Sequence, residues 1–149
     1  MIARVAPDAL DELLTLMRGY CDFYGVSPSD GALRALSLEL IASPDTAGIQ
    51  LLAREHGAAA GFATIFWSYS TLSACSIGVM NDLYVDPDAR GGGLGERLIR
   101  ACEAECAARG VSVLEWETAP DNLRAQAVYE RFGAERSAWV AYTLRVSRR

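Results

Sequence analysis

The chain has no lysine: all 14 of its basic residues are arginine, set against 19 acidic residues and a single histidine, His56. Any chemistry that needs an amine nucleophile, a Schiff base or the phosphate-gripping lysine of a Walker loop is therefore excluded. One histidine and four cysteines without Cys-x-x-Cys spacing supply no zinc pattern. Cys21, Cys75, Cys102 and Cys106 read as small apolar residues of a reducing compartment, so neither metal nor disulfide is expected. The net charge is −5 with no arginine-rich run, which argues against a nucleic-acid partner and for a cationic one. No uncharged stretch approaches the ~18 residues of a membrane span, and Asp8, Asp11 and Glu12 interrupt any leader-like apolar run. A cytoplasmic protein with no membrane partner is expected.

What remains is ordinary globular material: 149 residues, 51% of them hydrophobic, enough for one domain over residues 1–149. A first strand is predicted over 2–6. A helix follows from Pro7 and Asp8, with Leu10, Leu13, Leu14 and Met17 at helical spacing. Ser29 is placed as the cap of a second helix that stops at Ser43-Pro44. Strands are then expected over 49–55, 60–70 and 74–85, a helix over 94–110, and a strand over 111–118. A helix over 122–133, capped by Asp121 or Asn122, and a last strand over 138–146 complete the layout. The strand–helix–strand order between 74 and 118 predicts a parallel crossover. The class is α/β (α+β), with a mixed sheet of about six to seven strands flanked by about four helices.

The segment "RGGGLG", residues 90–95, sits where a strand hands over to a helix. A helix N-terminus presents unpaired N–H groups and positive partial charge, and glycines let an anion approach them. Arg90 adds a fixed cation, so the loop reads as a cradle for a phosphate or pyrophosphate. A Walker loop needs the missing lysine. A dinucleotide fingerprint fails because Glu96 and Leu98 stand where its last glycine belongs. A plain turn does not need four glycines in five positions.

With its surroundings, the loop resembles the signature R/Q-x-x-G-x-G/A of the GNAT superfamily of N-acetyltransferases. "DLYVDPDAR" is similar to the strand and proline turn that precede that signature. "DNLRAQAVYERFGA" is similar to the second one, N-x-x-A-x-x-x-Y-x-x-x-G, at the right separation. The order of "GFATIFWSYS", "NDLYV" and "RGGGLG" is closest to the diamine and polyamine branch.

The resemblance implies direct transfer of an acetyl group from acetyl-CoA, as co-substrate, to a primary amine of a small molecule. It assigns the cofactor to Leu83, Tyr84 and Val85 for the pantetheine arm and thioester carbonyl. Arg90, Gly91, Gly92, Gly93, Leu94, Gly95 and Glu96 fall to the pyrophosphate, Asn122 and Ala125 to the arm, and Arg131 to the nucleotide end. Tyr129 takes the position of the general acid, since a phenol stays protonated at neutral pH yet can donate to a leaving thiolate. Asp82 is the candidate base or ammonium anchor, with Glu117 or water as substitutes. Asn81 stands where the polyamine branch has a glutamate, a departure from that branch's pattern. Tyr20, Phe23 and Tyr24, with Asp22 and Asn81, are placed at the acceptor pocket, and the aromatics read equally as core packing. Trp67 and Tyr69 are weaker candidates there, and Trp116 and Trp139 fall to core or interface. Open beside this reading stand a protein lysine or N-terminal amine as acceptor, and a non-catalytic acyl-CoA sensor. A homodimer is expected from the family and the apolar last strand.

Overall fold

Alternating apolar and small residues in the middle of the chain build a sheet whose two faces are each covered by helix. In the computed structural model, which describes residues 1–147, five strands run in the order β1 (Ile2–Arg4), β2 (Gly48–Glu55), β3 (Ala58–Ser70), β4 (Cys75–Val85) and β5 (Leu114–Glu115). Neighbours pair antiparallel except β4 and β5, which are parallel, as the crossover rule requires. The chain divides into two compact units, Met1–Glu117 and Thr118–Arg149. The first holds the whole sheet and three helices. The second holds α4 (Leu123–Arg131).

In the first unit a 3-10 turn begins at Pro7 and leads into α1 (Leu10–Phe23), and Ser29 caps α2 (Asp30–Ala42) by accepting from the Ala32 N–H at 3.1 Å. Leu10, Leu13, Met17 and Cys21 of α1 bury against Leu52, Phe62 and Tyr84, with Leu33 of α2 in the same cluster. On the other face α3 (Leu94–Ala108) buries Leu98, Ile99, Cys102 and Cys106. Its last turn is tied down by Arg109, which stacks over Trp67 at 4.5 Å and donates to the Asp45 carbonyl. Trp67 in turn donates its indole N–H to the Pro44 carbonyl at 2.8 Å. Among the described residues no helix is long and apolar enough to cross a membrane.

Three expectations need correction. The sheet has five strands rather than six or seven. The strand expected over 111–118 is only Leu114–Glu115, because β5 meets β4 at just two register positions, Gly78↔Leu114 and Val79↔Glu115. Residues 138–146 form no strand: Trp139, Val140, Tyr142, Leu144 and Val146 are exposed and no ladder partner pairs with them. Strand propensity describes how well a side chain fits a pleated surface, and it makes no strand without a partner.

Gly48 opens β2 with φ +152°, and a Cβ there would run into the Ile65 carbonyl oxygen and lie 3.0 Å from Phe66 Cα. Both obstacles are backbone of the central strand. Gly48→Ala is expected to destabilise the fold by about 3 kcal/mol, read as a lower urea midpoint with an unchanged slope. A midpoint equal to wild type would refute this packing.

Candidate active site

Strand β4 carries the site, and its backbone phase decides what faces where. The Gly78 N–H points across the sheet to the Val113 carbonyl, toward β5, at 2.9 Å. The Asp86 N–H points the other way, to Ala60 beside β3, also at 2.9 Å. Strict alternation cannot reconcile the two, and the register shows why: Ile65 faces Met80 while Thr64 faces Asp82, leaving Asn81 as a β-bulge. Counting back from Asp86, the amides of Val85 and Leu83 point to the β5 side. There the ladder has already ended at Val79. Leu83 and Val85 thus offer two N–H groups along an open strand edge, spaced to receive an extended chain or a carbonyl oxygen.

The glycine loop lies beside that edge. Gly91 and Gly93 take φ +95° and +74°, conformations that side-chain-bearing residues rarely adopt. Gly93 is the N-cap of α3 and provides no side-chain cap for its first turn. Side chains added at Gly91, Gly92 or Gly93 would meet nothing within 4 Å, so an open cradle faces the amides of residues 94–96. A Cβ added at Gly95 would stand 3.8 Å from Val85 Cγ2, so the first turn of α3 packs beside the end of β4. These features fit an elongated ligand with an anionic group at one end. Arg90 closes the 3-10 turn Pro87–Ala89. Its Nε donates to the Val85 carbonyl at 3.0 Å and its guanidinium stands 5.9 Å from the Tyr84 ring centre, so it first braces the strand end. A cleft of about 450 Å³ reaches from the β2–β3 turn to the glycine loop, with Glu55, His56, Asp86, Asp88, Arg90 and Gly92 in its lining.

On the opposite face from α3, Asp82 is 9% exposed, and its Oδ1 accepts from Asn81 Nδ2 at 3.0 Å. Above it an aromatic chain runs inward from α1. Phe23 meets Tyr24 at 5.1 Å, Tyr24 meets Tyr20 at 5.0 Å, and Tyr20 meets Phe62 and Tyr84 at 5.8 and 6.2 Å, all edge-on. Phe23 and Tyr24 are exposed, with Asp22 between Cys21 and Phe23 also exposed. The structure thus brings Tyr20, Asn81, Asp82, Leu83, Tyr84 and Val85 together. Trp67 does not belong with them, since it packs against α3's last turn, and Tyr69 is 85% exposed near the far end of β3. Glu117 lies beyond the end of β5 and is exposed.

The second unit carries the other predicted residues on or at the start of α4. Asn122 is its cap, accepting from the Ala125 N–H at 3.3 Å, so the choice left open between Asp121 and Asn122 falls to Asn122. Gln126 donates back to the carbonyls of Ala119 and Pro120, each at 3.1 Å, which fixes the entry to the helix. Ala125 and Tyr129, four apart, share a face; Arg131 closes the helix.

Residues 13–134 match the Acetyltransferase (GNAT) family. The chain belongs to it. This GNAT acetyltransferase is 32% identical over 133 residues to YhfO of Bacillus subtilis (strain 168), named an uncharacterised N-acetyltransferase, with 88% of this chain and 87% of that one covered. It is also 32% identical over 80 residues to the thialysine N-epsilon-acetyltransferase of Bos taurus, a match covering 50% of this chain and 44% of that protein. A crystal structure of a probable acetyltransferase superposes with a TM-score of 0.84 at 26% identity, over 100% of this chain and 99% of the other.

The sequence reading passed over two features of this GNAT site. Gln50 and Thr64 are polar residues in otherwise apolar strands, and the register sets them in one row with Asp82. Gly19 lets α1 close on β4, with its hydrogen-bearing face 2.6 Å, as a Cβ would sit, from the Tyr84 hydroxyl. The only available signal was the polar interruption of two apolar runs and a glycine inside a helix.

None of the cysteines is placed to act as a nucleophile. Cys21, Cys102 and Cys106 are buried, and burial pushes the Cys102 thiol from its ordinary 9.0 up to about 12, with Cys106 raised for the same reason. In native protein at pH 8 a thiol reagent is expected to modify Cys75 first and to leave Cys102 untouched until the chain unfolds. Because the unfolded thiol ionises more readily than the folded one, raising the pH from about 9 toward 12 removes the stability this burial contributes. Peptide mapping after labelling checks the order, and early labelling of Cys102 would refute the burial.

Proposed function

We propose that this GNAT enzyme transfers the acetyl group of acetyl-CoA directly to a primary amine of a small, cationic molecule: a diamine, a polyamine or an amino-acid-like compound. The observation that carries the reading is the adjacency on β4. A nearly buried carboxylate, Asp82, immediately precedes Leu83, whose amide lies on the open edge, and the glycine cradle packs beside the end of that strand. An ammonium drawn to Asp82 would be held within a residue's length of a thioester carbonyl resting on the Leu83 or Val85 N–H groups. The exposed Phe23 and Tyr24 with Asp22 suit a cation carrying some apolar surface. The similarity to a thialysine acetyltransferase supports an acceptor of amino-acid type.

In the proposed step the ammonium first loses a proton to Asp82 or, through it, to water. The neutral amine attacks the thioester carbon, and the oxyanion that forms is held by the open-edge amides. The carbon–sulfur bond breaks, and the departing thiolate takes a proton from the Tyr129 hydroxyl. The second nitrogen proton leaves to solvent, from which Tyr129 is reprotonated. The products are an N-acetylated amine and CoA. Arg90, Gly91, Gly92, Gly93 and the amides of Leu94, Gly95 and Glu96 take the pyrophosphate in this reading. Asn122, Ala125 and Arg131 take the rest of the cofactor.

The test follows CoA release from acetyl-CoA against diamines, spermidine, lysine analogues, amino acids, aminoglycosides and a histone-like peptide, with a no-amine control for the protein's own thiols. One small amine is expected to turn over, and Tyr129→Phe is expected to lower kcat by at least about tenfold. Turnover of the peptide alone would replace the small-molecule reading with a protein acceptor. Acetyl-CoA binding with no turnover of any amine would favour a sensor.

A further inference from the structure

We propose that Asn81 is a positioning residue of the transfer site: from the bulge in β4 its side-chain amide holds one oxygen of Asp82, so that the other oxygen is presented in a fixed direction to the acceptor amine. This rests on the acetyl-transfer reading above and deepens it.

The bond is a product of the bulge. Consecutive side chains of a regular strand point to opposite faces, which carries neighbours apart. Yet Asn81 Nδ2 donates to Asp82 Oδ1 at 3.0 Å. The register explains the contact. Ile65 faces Met80 and Thr64 faces Asp82, so Asn81 has no counterpart across the ladder and leans toward the residue that follows it. An ionised carboxylate only accepts, so the amide nitrogen is the atom that faces it. Asn81 itself is exposed, which sets it at the mouth of the site and not in the core.

Asp82 needs such a holder. It is nearly buried, and none of the ion pairs among the described residues reaches it. Thr64, directly opposite, accepts instead from Gln50 Nε2 at 3.2 Å. Among the described residues Gln50 Oε1 is the only fully buried side-chain oxygen or nitrogen without a partner. The second oxygen of Asp82, to which no hydrogen bond of the structure runs, is therefore reached by solvent. One oxygen is tied and the other is available. A carboxylate buried this far is costly without a cation, and an apolar or hydroxyl side chain in that row would serve the fold better. An ammonium ion has the charge and the donors that suit the open oxygen. Asn81 sets the direction in which it is met.

Asn81→Ala removes the donor at an exposed position. The experiment measures kcat and KM for the best amine and for acetyl-CoA in wild type and Asn81→Ala. Urea unfolding without ligand is followed for wild type, Asn81→Ala, Asp82→Ala and the double variant. The expected kinetic result is a loss of about tenfold in kcat/KM for the amine, the size of one hydrogen bond to a charged group, carried chiefly by a higher KM. KM for acetyl-CoA should stay within about twofold of wild type. In unfolding, Asn81→Ala should lower the midpoint of wild type and leave that of Asp82→Ala unchanged. Additive midpoints would mean that the two side chains do not act together, and would overturn the proposal with acetyl transfer intact. Coupled midpoints with an unaltered KM for the amine would reduce the bond to a structural one and overturn it as well. If wild type acetylates no amine, the transfer reading fails and this role falls with it, whatever the midpoints show.

Discussion

The backbone phase of β4 turns over at Asn81, and the remaining features of the site depend on that bulge. Before it, the outward amide of Gly78 is taken up by the Val113 carbonyl beside β5. After it, the outward amides are those of Leu83 and Val85, where no ladder remains. The same inserted residue keeps Asp82 and Tyr84 on the α1 face, opposite Thr64 and Phe62. A strand without the bulge would bury one set of groups or the other. With it, the Asp82 carboxylate and the outward amides of Leu83 and Val85 stand within four residues, facing different directions. Bulges recur next to functional sites for this reason: they re-aim a strand without ending it.

Two electrostatic demands then have to be met by a chain of net charge −5. The negative surface would draw the cationic acceptor proposed above but repels an anionic cofactor. Beyond a Debye length of about 8 Å that repulsion is largely screened, whereas N–H groups at the start of α3 act at contact distance. The local donors therefore win where the cofactor's phosphates would sit. Glycine makes this contact possible at Gly91 and Gly93, where the backbone takes a conformation that leaves the helix start uncovered. The Arg90 bond to the Val85 carbonyl fixes the loop to the end of β4.

Much of this was legible in the chain itself. The glycine loop's place at the strand-to-helix junction is legible because its conformation is local. The strand positions of β2, β3 and β4 follow from apolar patterning, and the parallel β4–β5 pairing follows from the crossover. The last strand was misjudged because pairing is a tertiary event: "AWVAYTLRV" has strand propensity and, among the described residues, no partner. The length of β5 was misjudged for a related reason, since nothing in "VSVLEWET" says where it parts from β4. Trp67 was a weaker candidate for the acceptor pocket, yet the alternation of β3 sends it to the α3 face. The polar row beneath α1 needed register, which a single residue's slip would have scrambled.

The most direct test of the account is an amide-resolved NMR titration of the protein with acetyl-CoA. The account predicts that the largest changes fall on Leu83 and Val85, on the open edge of β4, and on residues 92–96 at the start of α3. Changes concentrated instead around Glu55, His56 and Ala58, at the β2–β3 turn, would contradict it.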